Sequence, residues 1–440
     1  MKTPTPMVWR SEPFIGLGHG VGQSVGRLRP EPIRLGAAKR DRCPAREFNG
    51  PAPRKSRNCS PMDVTPTAFG TWNGGRFMNY GQPLDDAQWI ATVRHAWDRG
   101  IRTFLTADVY GAGQADSLLG QALSGVPRDS YCLVGCIGHD FYSARRDGAK
   151  GFPRFTQPGL RVPADHASYL RMATEKSLER CRTDHFDLVL LHNPDHTGYT
   201  SDRVWNGMQT LREAGLTRSL GVAPGPANGF TLDLIRCFER FGPLIDWAMI
   251  ILGPFEPWPG RLILPAAVRH EVKLITRVVD YGGIFHDDVR PGHRFGTADH
   301  RSFRPAGWVE AAVAKLEALR PIAQRHGITP LQLACTWNLH QPAVHNVIPT
   351  LIQELGEGAR PIASKVDELA ALKAVRLSPD EVAEIARIGD NTGCMALKGS
   401  SRSHVGSALP DQWELDPELE SIATRWNIDP KTDLGLTHSH

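Results

Sequence analysis

From residue 64 onward, short aliphatic and β-branched runs alternate with longer segments whose apolar positions recur at helical spacing. The segment "DDAQWIATVRHAWDRG" reads as a helix stopped by Gly100, and "IRTFL" after it reads as a strand. A helix over 114–123 and a strand over 131–137 follow, then a helix over 168–182 leading into "FDLVLLH", which ends at His192. The same alternation carries "DRVWNGMQTLREAGL" into "TRSLGVA", and "FTLDLIRCFERFG" into "IDWAMIIL". A helix near 261–270 precedes "KLITRVV", and helical patterns over 308–326 and 330–340 precede "HNVIP". With an opening strand near "TAFGTW", about eight strands alternate with helices, which implies parallel βαβ units. Such alternation over about 300 residues, with no fingerprint glycine loop, fits a closed (β/α)8 TIM barrel better than an open doubly wound sheet.

In a barrel of this kind, function sits in the loops at the carboxyl ends of the strands. Those loops hold Asp108 and Tyr110, Cys136 to Asp140, His192 to His196, Ala223 to Pro226, Gly253 to Trp258, and Asp280 to Asp288. The long loop 280–306 is the candidate for a lid. Trp72, Trp258 and Tyr281 fall at strand ends, where they could stack on a sugar or aromatic substrate or simply fill core. His139, Asp140, His192, Asp195, His196, Asp280 and His286 to Asp288 end three strands on one face. They match no metal-ligand spacing, so a solvated polar rim is favoured and no metal is expected.

Composition refines the domain picture. The chain has 440 residues, 41% of them hydrophobic and 22% charged, which suits a soluble protein with a sizeable core. The net charge of +4 is uneven: residues 1–60 hold 12 Lys/Arg against 4 Asp/Glu, a net of +8, so the remainder carries −4. This segment is rich in Pro, Gly and Arg without periodicity, so 1–61 is expected to be a disordered basic extension, 62–390 the barrel, and 391–440 a tail packing on it. The matches "GQSVG" and "GLGHGVG" in the extension lack the strand-to-helix context their chemistry needs. Eight scattered cysteines without a CxxC pair point to reduced thiols and a cytoplasmic protein. No run approaches the length of a membrane span, and no nucleic-acid partner is expected.

Several stretches in this order resemble the aldo-keto reductase superfamily: "FGTWNGG", "TADVYGAGQADSLLGQAL", "FDLVLLHNPD", "LREAGLTRSLGV", "GITPLQLACTWNLHQPAVHNVIP" and "LSPDEVAEIARIG". The resemblance implies a (β/α)8 barrel, NADP(H) as cofactor, and carbonyl reduction through a Tyr, Lys, Asp and His constellation. The family tyrosine falls on Tyr110 and its histidine on His192, whereas Leu105 stands at the carboxylate position and Cys136 at the lysine position. The nicotinamide-clasping positions read Ala223-Pro224, Met249, and Val278 to Asp280. The resemblance places contacts to an adenosine 2′-phosphate near Arg360, Ser364 and Lys365, after the insertion "LIQELGEGARPI".

A phenol titrates near 10, and lowering it to about 8 takes roughly 3 kcal/mol of preferential stabilisation of the anion. An isobutyl group at 105 and a thiol at 136 supply almost none of that. Asp108 is the remaining candidate for the carboxylate. These residues predict an enzyme on a small carbonyl, sugar or polyol compound, with Tyr110 and His192 as acid and base and an altered NADP(H) site. A cofactor-independent lyase or isomerase, and a non-catalytic binding or regulatory subunit, are the alternatives.

Overall fold

A computed structural model describes residues 63–146, 151–225, 230–296, 299–304, 306–392 and 415–434. The expected basic extension, its two glycine-containing motifs and most of the expected tail lie outside the described residues.

Eight strands pair in sequence order as one parallel sheet: β1 Ala68–Gly70, β2 Thr103–Ala107, β3 Cys132–Ile137, β4 Phe186–His192, β5 Thr217–Ala223, β6 Trp247–Ile251, β7 Lys273–Arg277 and β8 Val344–Ile348. A parallel bridge between Thr67 and Val347 closes the ring. Between β1 and β4 lie the helices α1 Asp86–Asp98, α2 Gln114–Ala122 and α3 His166–Cys181. After β4 come α4 His196–Thr200, α5 Asp202–Glu213, α6 Thr231–Phe241 and α7 Leu264–Arg269. Helices α8 Trp308–Arg325 and α9 Pro330–Leu339 precede β8, and α10 Ile362–Ala370, α11 Pro379–Gly389 and α12 Pro417–Arg425 follow it. The chain is therefore a (β/α)8 TIM barrel. No helix among the described residues is long and apolar enough to cross a membrane.

The alternation of strand side chains divides the core into two compartments. Phe104, Leu133, Val189, Leu220, Ala248 and Leu274 face the helices in the larger cluster. Leu105, Val134, Cys136, Leu190, Met249 and Ile275 fill the barrel interior, with Tyr110 and Val109 packed at its upper end. Leu105 and Cys136 are thus neighbours in an apolar plug beneath the barrel mouth.

Loop 280–306 is pinned along its described length. Arg301, only 1% exposed, binds both oxygens of Asp299 and both oxygens of Glu354, and donates to the Gly282 carbonyl. Asp299 accepts from the Gly81 amide, and the His300 amide donates to the Asn79 carbonyl. The loop is a buttress joining three segments, in place of the lid expected from its length. On the opposite side, α12 seats on α6 through Arg236, which binds Asp233, Asp416 and Glu418. Glu239 holds Arg425 and the Trp426 indole.

Candidate active site at the barrel mouth

Tyr110 is placed by the turn that follows β2. Residues 111–113 all adopt positive φ, with Gly113 at 93°, a conformation a β-carbon disfavours. This turn reverses the chain into α2 and leaves Tyr110 at the top of the barrel interior. His192 ends β4, and Asn193 after it takes φ 46°, which asparagine tolerates better than most residues. The chain leaving β3 passes tightly against this turn: a β-carbon at Gly138 would sit well inside contact distance of the His192 carbonyl.

The two rings meet edge-on, with centroids 5.9 Å apart, and Trp72 meets Tyr110 edge-on at 6.4 Å. His139 lies 5.2 Å from His192. The His139 Nδ1–H donates to the Phe152 carbonyl at 2.8 Å, and its Nε2 accepts from the Asn193 amide at 3.1 Å. Both positions are satisfied by the neutral imidazole. Burial, reinforced by the Arg154 guanidinium, lowers His139 to about 4. Burial, with His139 next, holds His192 well below the usual histidine range. The His192 Nδ1 is buried with no hydrogen-bond partner among the described residues.

These side chains line a cavity of about 270 Å³, near the lower end of typical ligand sites at roughly 300–1,000 Å³. Its polar groups are Tyr80, Tyr110, His139, His192, Asn193, Arg146, Arg277 and Thr350; Trp72, Phe77, Met78, Phe152 and Met249 supply apolar wall. Among the described residues, neither aspartate nor glutamate lines it. Burial raises the Tyr110 phenol, with a smaller contribution from Cys136, while Arg277 opposes the rise. Burial likewise pushes Tyr80 up to about 12. Tyr110 is therefore a neutral donor at physiological pH. The thiol of Cys136 is also raised by burial, so it neither attacks nor supplies charge.

Arg277 is a further site residue, placed by the alternation of β7. Ile275 faces the interior, so the side chain two residues on shares that face at the barrel's open end. Its Nη2 donates to the carbonyls of Pro224 and Gly225, at 3.1 and 3.0 Å.

The other predicted residues lie elsewhere. Asp108 is fully buried outside the cavity lining, and burial together with the Asp116 carboxylate raises it well above the usual carboxylate range. Among the three predicted aromatics, only Trp72 reaches the cavity. Trp258 is buried with its indole on the Asp433 carbonyl, and Tyr281 packs against Phe255, Trp308 and Arg304.

The predicted phosphate contacts are bound to protein partners. The Lys365 ammonium, fully buried, sits 2.7 Å from Asp288 and donates to the Ile352 carbonyl. Arg360 binds Glu368 and the His286 carbonyl, and the Ser364 hydroxyl donates to Pro361. Pro224 and Met249 line the cavity where a carboxamide would need side-chain donors. The acids at the rim are also committed: Asp140 to Arg161, Asp195 to Thr156 and the Gly198 amide, and Asp287 to Arg320. No group of three metal-binding side chains converges among the described residues.

Comparison with known proteins now bears on the site. The pattern of the Aldo/keto reductase family matches residues 67–390. A Glycine max protein named Probable aldo-keto reductase 1 is 24% identical over 71% of this chain and 84% of its own. Versiconal hemiacetal acetate reductase of Aspergillus parasiticus is 20% identical over 69% and 89%. Among solved structures, glycerol dehydrogenase of Gluconobacter oxydans shares 24% identity over 73% of this chain and 90% of its own, with a TM-score of 0.57. A Klebsiella pneumoniae protein solved with NADP and acetate shares 21% over 74% and 91%, at 0.51.

Proposed function

Since this chain belongs to the aldo/keto reductase family, we propose that it is an enzyme acting on a small carbonyl- or hydroxyl-bearing compound, with Tyr110 and His192 at the reacting oxygen. The observation that carries the reading is the pairing of two neutral hydrogen-bonding rings, 5.9 Å apart, in a cavity lined by no carboxylate among the described residues. A phenol held neutral donates a hydrogen bond to a carbonyl oxygen and polarises it as negative charge develops. The neutral imidazole of His192 accepts or returns a proton beside that oxygen. Trp72 and Met249 exclude water and strengthen both interactions.

NADP(H) supplies hydride when it is bound in this family, and the Klebsiella neighbour was solved with NADP. In this chain, the commitment of Lys365 to Asp288 and of Arg360 to Glu368 favours a second reading, in which the same pair performs proton-transfer chemistry without net redox. Calorimetric titration with NADPH and NADP⁺ separates the two: micromolar binding with aldehyde turnover overturns the second. In either case Tyr110→Phe lowers turnover by about 10²–10⁴-fold. Unchanged turnover in Tyr110→Phe and His192→Gln would refute the acid/base assignment, and absence of turnover in the wild type would leave the barrel as a binding subunit.

A further inference from the structure

Arg277, half-buried, presents a guanidinium to the cavity, whose lining among the described residues contains no acid. It makes no ion pair among the described residues, and its Nε is buried without a hydrogen-bond partner. Its Nη2 is fixed by two backbone carbonyls, which orient the group. Glu256 lies near enough to act on it electrostatically yet does not line the cavity. Around it, both histidines are neutral and Arg146 lines the wall. A buried guanidinium Nε–H without a partner costs free energy unless an acceptor reaches it. A guanidinium fork matches the two oxygens of a carboxylate. The fixed guanidinium of Arg277 offers one such fork beside Tyr110 and His192.

Resting on the carbonyl reading above, we propose that the substrate also carries a carboxylate, held by Arg277 so that its reacting oxygen faces Tyr110 and His192. The compound is then a short oxo- or hydroxy-acid, its two oxygen-bearing ends spanning the mouth from β7 to β2.

The test uses the full-length protein and three probes measured by calorimetry: 4-oxobutanoate, its methyl ester, and inorganic phosphate. The wild-type protein binds the acid at least tenfold tighter than the ester, and phosphate does not displace it. Arg277→Met brings acid and ester to within about twofold of each other, and Arg277→Lys restores part of the preference. Equal wild-type affinities for acid and ester overturn the proposal even if the Arg277 variants fail to fold. So do a preference that survives in Arg277→Met, displacement of the acid by phosphate, and no binding of any probe. The two readings fail separately. An Arg277-dependent preference with turnover unaffected by Tyr110→Phe sinks the catalytic assignment alone. Turnover that needs Tyr110 but treats acid and ester alike sinks the carboxylate.

Discussion

Removing the Lys365 ammonium tests whether this residue serves the fold or a phosphate. In Lys365→Met the stem persists while Asp288, 1% exposed, loses the cation 2.7 Å away and the Ile352 carbonyl loses its donor. Breaking a buried pair from one side typically costs about 3–5 kcal/mol, because the remaining charge is stranded. An unfolding entropy of about 2.1 cal/mol/K per residue over residues 67–390 amounts to roughly 0.7 kcal/mol/K, so the midpoint falls by about 4–7 °C. Neutralising the partner as well, in Lys365→Met/Asp288→Asn, recovers most of the loss. Scanning calorimetry of the wild type, both single variants and the double variant gives the coupling directly. NADPH titration of the same four proteins supplies the independent readout. A midpoint within about 1 °C of wild type, together with NADPH binding weakened tenfold or more, would refute the reasoning and return Lys365 to the cofactor.

Three further outcomes follow from buried groups. His139 is held near 4 in the folded protein against about 6.5 unfolded, so the unfolded chain takes up the proton first as pH falls. Its contribution is intact above about pH 6.5 and is lost towards pH 4, by up to about 3 kcal/mol; urea midpoints across this range should flatten in His139→Gln, and an identical slope counts against the assignment. Gly138→Ala forces the β3 exit away from the His192 carbonyl, costing about 1–3 kcal/mol and reducing turnover; a wild-type midpoint and rate would show that the close approach is dispensable. Arg236→Met leaves Asp233 buried and frees Asp416 and Glu418, so α12 becomes sensitive to protease before the barrel unfolds; equal cleavage rates would exclude the clamp.

The strands were legible because each is a short apolar run bounded by helix stops. "FDLVLLH" and "TRSLGVA" coincide with β4 and β5 to the residue. Tyr110 and His192 were legible because strand ends of a barrel converge on one mouth. Arg277 required the inward-outward phase of β7 to be followed one step past Ile275. The partners of Arg360 and Lys365 were not legible, because burial of a cation is decided by chain segments far apart in sequence, as with Asp288 and Lys365. Asp108 shows the same limit. Its position beside Tyr110 in sequence says nothing of Asp116, which comes close to it only when α2 folds back on the barrel. The long loop 280–306 read as a lid because its length was visible and its anchors, Asp299 and Arg301 on Glu354, were not.

The seat of α12 on α6 determines where this protein can be shortened. The family pattern ends at residue 390, which invites a cut just beyond it. Such a cut would remove two of the three carboxylates around a guanidinium that is 1% exposed, and the carbonyl that receives the Trp258 indole. The chain that follows the barrel is thus a counter-charge for its outer wall. A fragment built to the family boundary would carry an uncovered cation and an open indole on α6 and the β6 loop, and would be expected to associate or precipitate there.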